Sequence, residues 1–215
     1  MKYSLIFTTA FLVAVATLGS KYAFETTNML GTTVIMAKTT GKAILAPQDL
    51  TTKQQKLINL AYNKAKEAGL KDPEILQMIV LQETKAGALK SYKVAGQEFG
   101  LKTNERYYGV TQIKSAAARD VMKAFPELWK KYEFHTQLEE ELIANLILND
   151  EFNLDIASKY LKILNTQYGY SGERLILAYN QGPGGAKNVD DVHGHFYVKG
   201  AKRFEQPLKN GKTSF

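Results

Sequence analysis

The sequence predicts an all-α protein whose helices pack into one domain over residues 50–200. Three observations support this prediction. Apolar residues recur at helical spacing in five or more segments, breaking or capping residues separate those segments, and few stretches alternate as a half-buried strand does. The chain has 215 residues, of which 45% are hydrophobic and 23% charged. It is therefore long enough for such a domain with appendages and too apolar to be disordered.

The first 49 residues lack the helical pattern. An uncharged apolar run at 5–19 follows Lys2, and it is shorter than the roughly 20 residues that span a bilayer. This order is typical of a signal peptide, which we place at residues 1–20; a buried helix or an uncleaved anchor is the alternative. Residues 21–49 are Thr-rich and are interpreted as a linker or N-terminal arm, in which TTVIMA could form a short strand.

Two helices are expected directly after this arm. Thr51 or Thr52 caps the first, which runs through KQQKLINLAYNKAKEAG and ends at Gly69. The segment Asp72-Pro73-Glu74 opens the second, because it offers an N-cap, a proline at the first helical position and an acidic first turn. We expect Gly87 to close that second helix.

Further helices follow a polar loop at 88–108. They run through QIKSAAARDVMKAF, through the long segment from 138 to 168, and through SGERLILAYN. The first of them has Ser115 as an alternative start and ends at Pro126, and the second has a break at Asn149-Asp150. Ser171 caps the last, which stops at Gly182-Pro183-Gly184. Residues 201–215 are interpreted as a basic C-terminal tail.

Composition limits the chemistry. With 28 Lys+Arg against 21 Asp+Glu the formal charge is +7, which predicts an anionic partner. No recognised nucleic-acid motif accompanies the charge, so we expect no nucleic-acid partner. The chain has no Cys, which excludes disulfides, zinc-thiolate sites and a thiol nucleophile. His193 and His195 are two of only 3 His, and their spacing does not define a metal site; we expect no metal and no other cofactor.

Glu83 is the first candidate for catalysis. It follows Leu76, Ile79 and Val80 at i, i+3, i+4 and i+7, and so it continues an apolar stripe on the second predicted helix. Partial burial would favour the protonated carboxyl and raise its pKa, as a general acid near neutral pH requires. The alternative is a Glu near a helix end that simply reaches water.

Four more positions are candidates for binding a ligand. Gly109 follows two aromatic residues and lets a backbone approach closely, and Gln112 can hydrogen-bond a sugar hydroxyl or acetamide. Tyr179 and Asn180 offer an aromatic face and an amide at the end of an apolar helix. Each of them alone is equally typical of an ordinary loop or turn.

The ordered set of segments resembles the soluble lytic transglycosylases. LQET at 81–84, YGVTQI at 108–113 and AYNQGPG at 178–184 are similar to that family's catalytic Glu-Ser pair, its Gly-Leu-Met-Gln-Ile-like loop and its Ala-Tyr-Asn-Ala-Gly-Pro-Gly segment. EFNLDIASKYLKIL is also similar to the helix that precedes the last of these in the family. The resemblance covers residues 55–200 and implies an α-helical, lysozyme-like transglycosylase domain.

This resemblance implies a reaction. Family members cleave the β-1,4 bond between N-acetylmuramic acid (MurNAc) and N-acetylglucosamine (GlcNAc) without water and leave a 1,6-anhydroMurNAc end. Glu83 takes the position of the catalytic acid/base. The other motif positions are taken by Gln112, Tyr179 and Asn180 as substrate contacts, and by Thr84 and Gly109 as supporting residues.

This sequence departs from the family pattern near the motifs. The family's small Ser-x-x-Gly-Ala approach to the loop is absent, and the segment YKVAGQEFGLKTNERYYG is longer and more polar. Thr84 stands where the family usually has Ser, and its hydroxyl could hydrogen-bond near the acid. Lys85 would lower the pKa of Glu83 if its ammonium approached the carboxylate. Thr111 stands where the family often has Met.

The resemblance also implies a cellular setting. We expect an exported, periplasmic or extracellular protein associated with the cell wall, with peptidoglycan glycan strands as its partner and no stable membrane span after signal cleavage. A secretion-system or phage setting is compatible with it. Two alternatives stay open, a lysozyme-type hydrolase on the same fold and a non-catalytic protein for wall binding or secretion.

Overall fold

The computed structural model describes residues 25–27, 33–35, 50–87, 94–95, 107–136 and 138–210. The chain divides into two compact units, Met1–Ile44 and Leu45–Phe215. In the first unit, strands β1 (Glu25–Thr27) and β2 (Thr33–Ile35) pair antiparallel. Strand β2 lies within the TTVIMA piece. The signal peptide expected at 1–20 lies outside the described residues.

The second unit is helical, which confirms the all-α prediction. In chain order its helices are α1 (Thr52–Glu67), α2 (Glu74–Thr84), α3 (Ser115–Ala124), α4 (Glu127–Lys131), α5 (Glu139–Leu148), α6 (Asp150–Tyr168), α7 (Gly172–Lys187), α8 (Phe196–Lys202) and α9 (Glu205–Asn210). A small antiparallel sheet accompanies them, with strands β3 (Val94–Ala95), β4 (Tyr107–Tyr108) and β5 (Ile113–Lys114) in that spatial order.

Side-chain caps fix two helix starts at places that the sequence predicted. Thr51 caps α1 in a capping box, because its Oγ1 accepts from the backbone N of Gln54 at 3.3 Å while Gln54 Oε1 accepts from the backbone N of Thr51 at 2.9 Å. Asn149 interrupts the long helical segment and caps α6 through its Oδ1, which accepts from Phe152 N at 3.0 Å. Helix α3 begins at the alternative start, Ser115.

Two helix ends differ from the prediction. Helix α2 ends at Thr84 and not at Gly87, because Lys85 and Ala86 already adopt left-handed backbone angles, with φ of 50° and 54°. Helix α7 was expected to stop at Gly182. Gly182 does break it, with φ 74° and ψ 169°, but helical structure resumes at Pro183, where a proline needs no amide hydrogen.

The C-terminal residues differ from the expected basic tail. Helices α8 and α9 cover most of residues 196–210, and the side chains of Ala201, Phe204 and Leu208 are buried in the main core. The predicted boundary at residue 200 therefore cuts through a packed part of the domain. Charged residues lie between the apolar ones in these short helices, so the sequence pattern alone does not reveal that the apolar residues join the core.

Helix α6 is the centre of the domain, because it contributes to two apolar clusters. Its residues Leu154 and Leu161 pack in a core with α1, α2, α7 and α8, while Phe152 and Ile156 pack in a second core with α3, α4 and α5. Every residue from Phe152 to Ser158 is buried. An amphipathic pattern predicts burial of one helix face, so it does not predict that this segment is buried on all sides.

Asn153 on α6 holds the turn between β4 and β5. Its side chain is fully buried, and its Oδ1 accepts from the backbone N and the Oγ1 of Thr111 at 3.0 and 2.7 Å. Its Nδ2 donates to the carbonyls of Tyr108 and Leu146 at 2.9 and 3.1 Å. Two donors and an oxygen acceptor are all satisfied, so this buried amide stabilises the turn without an unpaired polar atom.

Gly109 is required beside this amide. Its φ is +70°, and a Cβ built there would lie 2.2 Å from Asn153 Nδ2 and 2.3 Å from the carbonyl oxygen of Leu146. Gly169 has the same backbone angle, φ +71°, but a Cβ there would meet nothing within 4 Å. Comparing the two glycines therefore distinguishes the effect of an unfavourable φ, which both share, from the effect of a steric clash, which only Gly109 would have.

We therefore expect Gly109→Ala to destabilise the protein by about 3 kcal/mol or more, because it adds a steric clash to an unfavourable φ. Gly169→Ala, which has only the unfavourable φ, should cost about 1 kcal/mol. Urea unfolding of both variants checks this. Equal losses of unfolding free energy would contradict the proposed crowding at Gly109.

Candidate active site

A cleft of about 250 Å³ lies where α2, α6 and α7 meet the β4–β5 turn. Glu83, one residue before the end of α2, faces into it. The other described residues that line it are Tyr107, Gln112, Ile113, Lys114, Ala117, Tyr160, Tyr179, Asn180, Gln181 and Gly182. The structure thus brings together in one cleft the four residues expected to act on or contact substrate, Glu83, Gln112, Tyr179 and Asn180.

The carboxyl of Glu83 is set to exchange a proton near neutral pH. Burial raises its pKa from 4.5 to about 7, and a hydrogen bond from the hydroxyl of Tyr197 opposes part of that effect. Tyr197 donates to Glu83 Oε1 at an O···O distance of 2.5 Å. At pH 7 the protonated and ionised forms of Glu83 are therefore both well populated.

Lys85 does not act on this carboxyl. Among the described residues, the influences on the pKa of Glu83 are burial and the Tyr197 hydroxyl. The chain turns into the left-handed conformation at Lys85, and the carbonyl of Lys85 accepts from Gln54 Nε2 at 2.8 Å. The sequence-based concern that an ammonium group would hold Glu83 ionised therefore does not apply.

Tyr197 is the functional residue that sequence reasoning missed. It lies on α8, is 4% exposed, and reaches Glu83 across 114 positions of the chain. Burial raises the pKa of its hydroxyl well above 10.0, so it stays a neutral donor. A signal existed in the sequence, because Tyr197, Val198 and Ala201 form a small apolar face at helical spacing.

Thr84 supports the cleft from beneath and does not contact its ligand-facing surface. Its side chain is fully buried, and its Oγ1 lies 2.9 Å from the carbonyl of Val110 and 3.2 Å from that of Val80. The same oxygen accepts from Gly87 N at 3.1 Å. Thr84 therefore ties the end of α2, and with it Glu83, to the β4–β5 turn.

The turn is also fixed from the α7 side. Tyr179 is buried, and its hydroxyl donates to the carbonyl of Thr111 at 3.0 Å. Gln112 has φ 51°, and its Nε2 donates to the carbonyl of Gly109 at 2.8 Å. Tyr179 therefore lines the cleft with part of its ring, while its hydroxyl is bound to the backbone. Asn180 is half-buried beside it, and its amide lines the cleft.

The two histidines of the HGH segment have other contacts. His193 Nδ1 lies 3.1 Å from a carboxylate oxygen of Glu173. His195 caps α8, since its Nδ1 accepts from Tyr197 N at 3.2 Å, and its Nε2 lies 2.8 Å from the amide of Gln181. In the part of the chain that the structure describes, no three His, Cys, Asp or Glu side chains are grouped to hold a metal ion.

A helical domain with one carboxylic acid poised near neutral pH in its cleft is of the lysozyme-like class. The profile of the family described as Transglycosylase SLT domain matches residues 60–196, more than half of the chain. The chain belongs to this family, the lytic transglycosylases, whose substrate is peptidoglycan. Curated proteins and solved structures give no match. No described helix combines the length and apolar character needed to cross a membrane.

We expect Tyr197→Phe to raise the pKa of Glu83 above its present value of about 7, because the lost hydrogen bond favours the ionised carboxylate. NMR titration of the carboxyl carbon of Glu83 measures this directly. Tyr160→Phe is the matched control, since Tyr160 lines the same cleft but has no hydrogen bond to Glu83 among the described residues. An unchanged or lower pKa in Tyr197→Phe would contradict the assignment.

Proposed function

We propose that the protein is an exported peptidoglycan lytic transglycosylase, periplasmic or extracellular, that cleaves the MurNAc-β-1,4-GlcNAc bond and forms 1,6-anhydroMurNAc. Glu83 serves as the single general acid/base. One observation carries the proposal: Glu83 is the one carboxyl group among the described residues that line the cleft, and its pKa is about 7. An acid and its conjugate base are then both available from the same side chain.

The proposed reaction has two proton transfers. In the first, protonated Glu83 donates to the glycosidic oxygen, the bond from that oxygen to C1 of the muramyl residue breaks, and the GlcNAc end leaves as an alcohol. In the second, the Glu83 carboxylate accepts the proton of the muramyl C6 hydroxyl as that oxygen bonds to C1. Glu83 ends protonated, as it began, and no water is consumed.

Other cleft residues support these steps. The hydroxyl of Tyr197, at 2.5 Å from Glu83 Oε1, stabilises the carboxylate that forms between the two transfers. Gln112 and Asn180 present amides that can hydrogen-bond sugar hydroxyls or acetamides. The acetamide of the substrate itself can stabilise the charged C1 centre. Tyr179 acts through the turn that it holds and through the face of its ring.

The lysozyme-type hydrolase is the alternative on the same fold. Glycosidases that use water usually need a second carboxylate, about 5 to 9 Å from the acid, as nucleophile or base. The described lining of the cleft carries no Asp and no Glu other than Glu83. This observation favours an internal hydroxyl as nucleophile over water.

Glu83→Gln should lower the release of fragments from purified sacculi by at least about 100-fold, because the amide can neither donate nor accept the proton. Folding and sugar binding should be kept, since Gln has nearly the same shape. Glu140→Gln, at an exposed position on α5, is the control for loss of one negative charge. Turbidity loss at the wild-type rate in Glu83→Gln would contradict the catalytic role and favour a non-catalytic wall-binding protein.

A further inference from the structure

The pairing of β4 with β5 places one cationic residue, Lys114, in the lining of the cleft. Tyr108 is opposite Ile113, and both side chains are buried in the core at 2% exposure. Successive side chains of a strand point to opposite faces, so the neighbouring cross-strand pair, Tyr107 and Lys114, faces the other way. Both of these residues line the cleft, and Ile113, which is 2% exposed, forms part of the same lining beside Lys114.

The ammonium of Lys114 is held in place without an anion. Its Nζ lies 5.1 Å from the centre of the Tyr107 ring, which is a cation–π arrangement. None of the ion pairs among the described residues includes Lys114. The Tyr107 face holds the side chain of this half-buried lysine, and its ammonium has donors that no described ion pair uses.

The charge of Lys114 is not among the influences on the pKa of Glu83. Apart from Glu83, Lys114 is the one Lys, Arg, Asp or Glu in the described cleft lining, and it is absent from the groups that act on Glu83. A cation in a cleft that forms no ion pair among the described residues favours a ligand that carries an anion at that place.

We propose that Lys114 is a specificity-determining residue, which binds a carboxylate of the glycan strand and so selects muramyl-containing strands over neutral N-acetylglucosamine polymers. This inference rests on the proposed function, because it concerns the substrate of the same cleft. A GlcNAc unit carries no carboxylate. A muramyl unit carries one on its lactyl group when unsubstituted, or carries carboxylates on its peptide when substituted.

The two carboxylate sources can be separated by binding. Glu83→Gln protein, which does not turn over substrate, is titrated by calorimetry with three oligosaccharides of equal length. One is an N-acetylglucosamine oligomer, one is a muramyl oligomer with free lactyl groups, and one is a muramyl oligomer with its peptides. Each titration is repeated with Lys114→Met, Lys114→Arg and Lys123→Met added to Glu83→Gln.

Lys114→Met should weaken binding of at least one muramyl ligand about tenfold, as expected for loss of a charge-assisted hydrogen bond, and change the neutral oligomer less than twofold. Met keeps the length and the packing on Tyr107, and unchanged binding of the neutral oligomer reports an intact fold. Lys114→Arg should retain the muramyl affinity. Lys123→Met, at an exposed position on α3, controls for net charge and should have no effect.

The pattern of losses identifies the source. A loss confined to the peptide-free muramyl ligand assigns the lactyl carboxylate, and a loss confined to the substituted ligand assigns a peptide carboxylate. Equal weakening of all three ligands, or of none, overturns the proposal. Cleavage by wild-type protein is scored separately, so that failure of the proposed reaction is distinguishable from failure of this selectivity.

Discussion

The burial of one carboxyl group whose pKa no described cation lowers is the constraint on which the rest of the site depends. Glu83 lies in a cleft whose described lining has no group that neutralises it, and its hydrogen-bond partner is the neutral hydroxyl of Tyr197. A pKa of about 7 instead of 4.5 corresponds to on the order of 3 kcal/mol against ionisation. The folded protein keeps this proton where the unfolded chain releases it, so stability falls as pH rises from 4.5 to 7.

The packing of the helices fixes the position of that carboxyl group. Three side chains from three different helices hold the β4–β5 turn against α2: Thr84 at the carbonyl of Val110, Asn153 at Thr111 and its neighbours, and Tyr179 at the carbonyl of Thr111. Because each bond is buried, leaving any one unmade would strand a polar group in the core. Three buried hydrogen bonds therefore fix the position of the turn that forms this wall of the cleft.

Local rules predicted most of the helical framework and made Glu83 a candidate, but they did not predict the hydrogen bond that Tyr197 donates to it. Caps and periodicity identified α1, the break at Asn149 and the stripe that carries Glu83. The end of α2 was missed because Lys85 and Ala86, which are not glycines, take the left-handed angles that usually mark a glycine at a helix end. The bond from Tyr197 joins residues 114 positions apart, and no local pattern encodes such a pairing.

In the proposed reaction, one carboxyl group works with a hydroxyl of the substrate and cleaves the glycan without water. Digestion of purified peptidoglycan in water enriched in oxygen-18, followed by mass spectrometry of the fragments, tests it most directly. We expect muramyl ends that are one water lighter than hydrolysed ends and carry no oxygen-18. Reducing ends with one oxygen-18 each would contradict it and would make the enzyme a hydrolase.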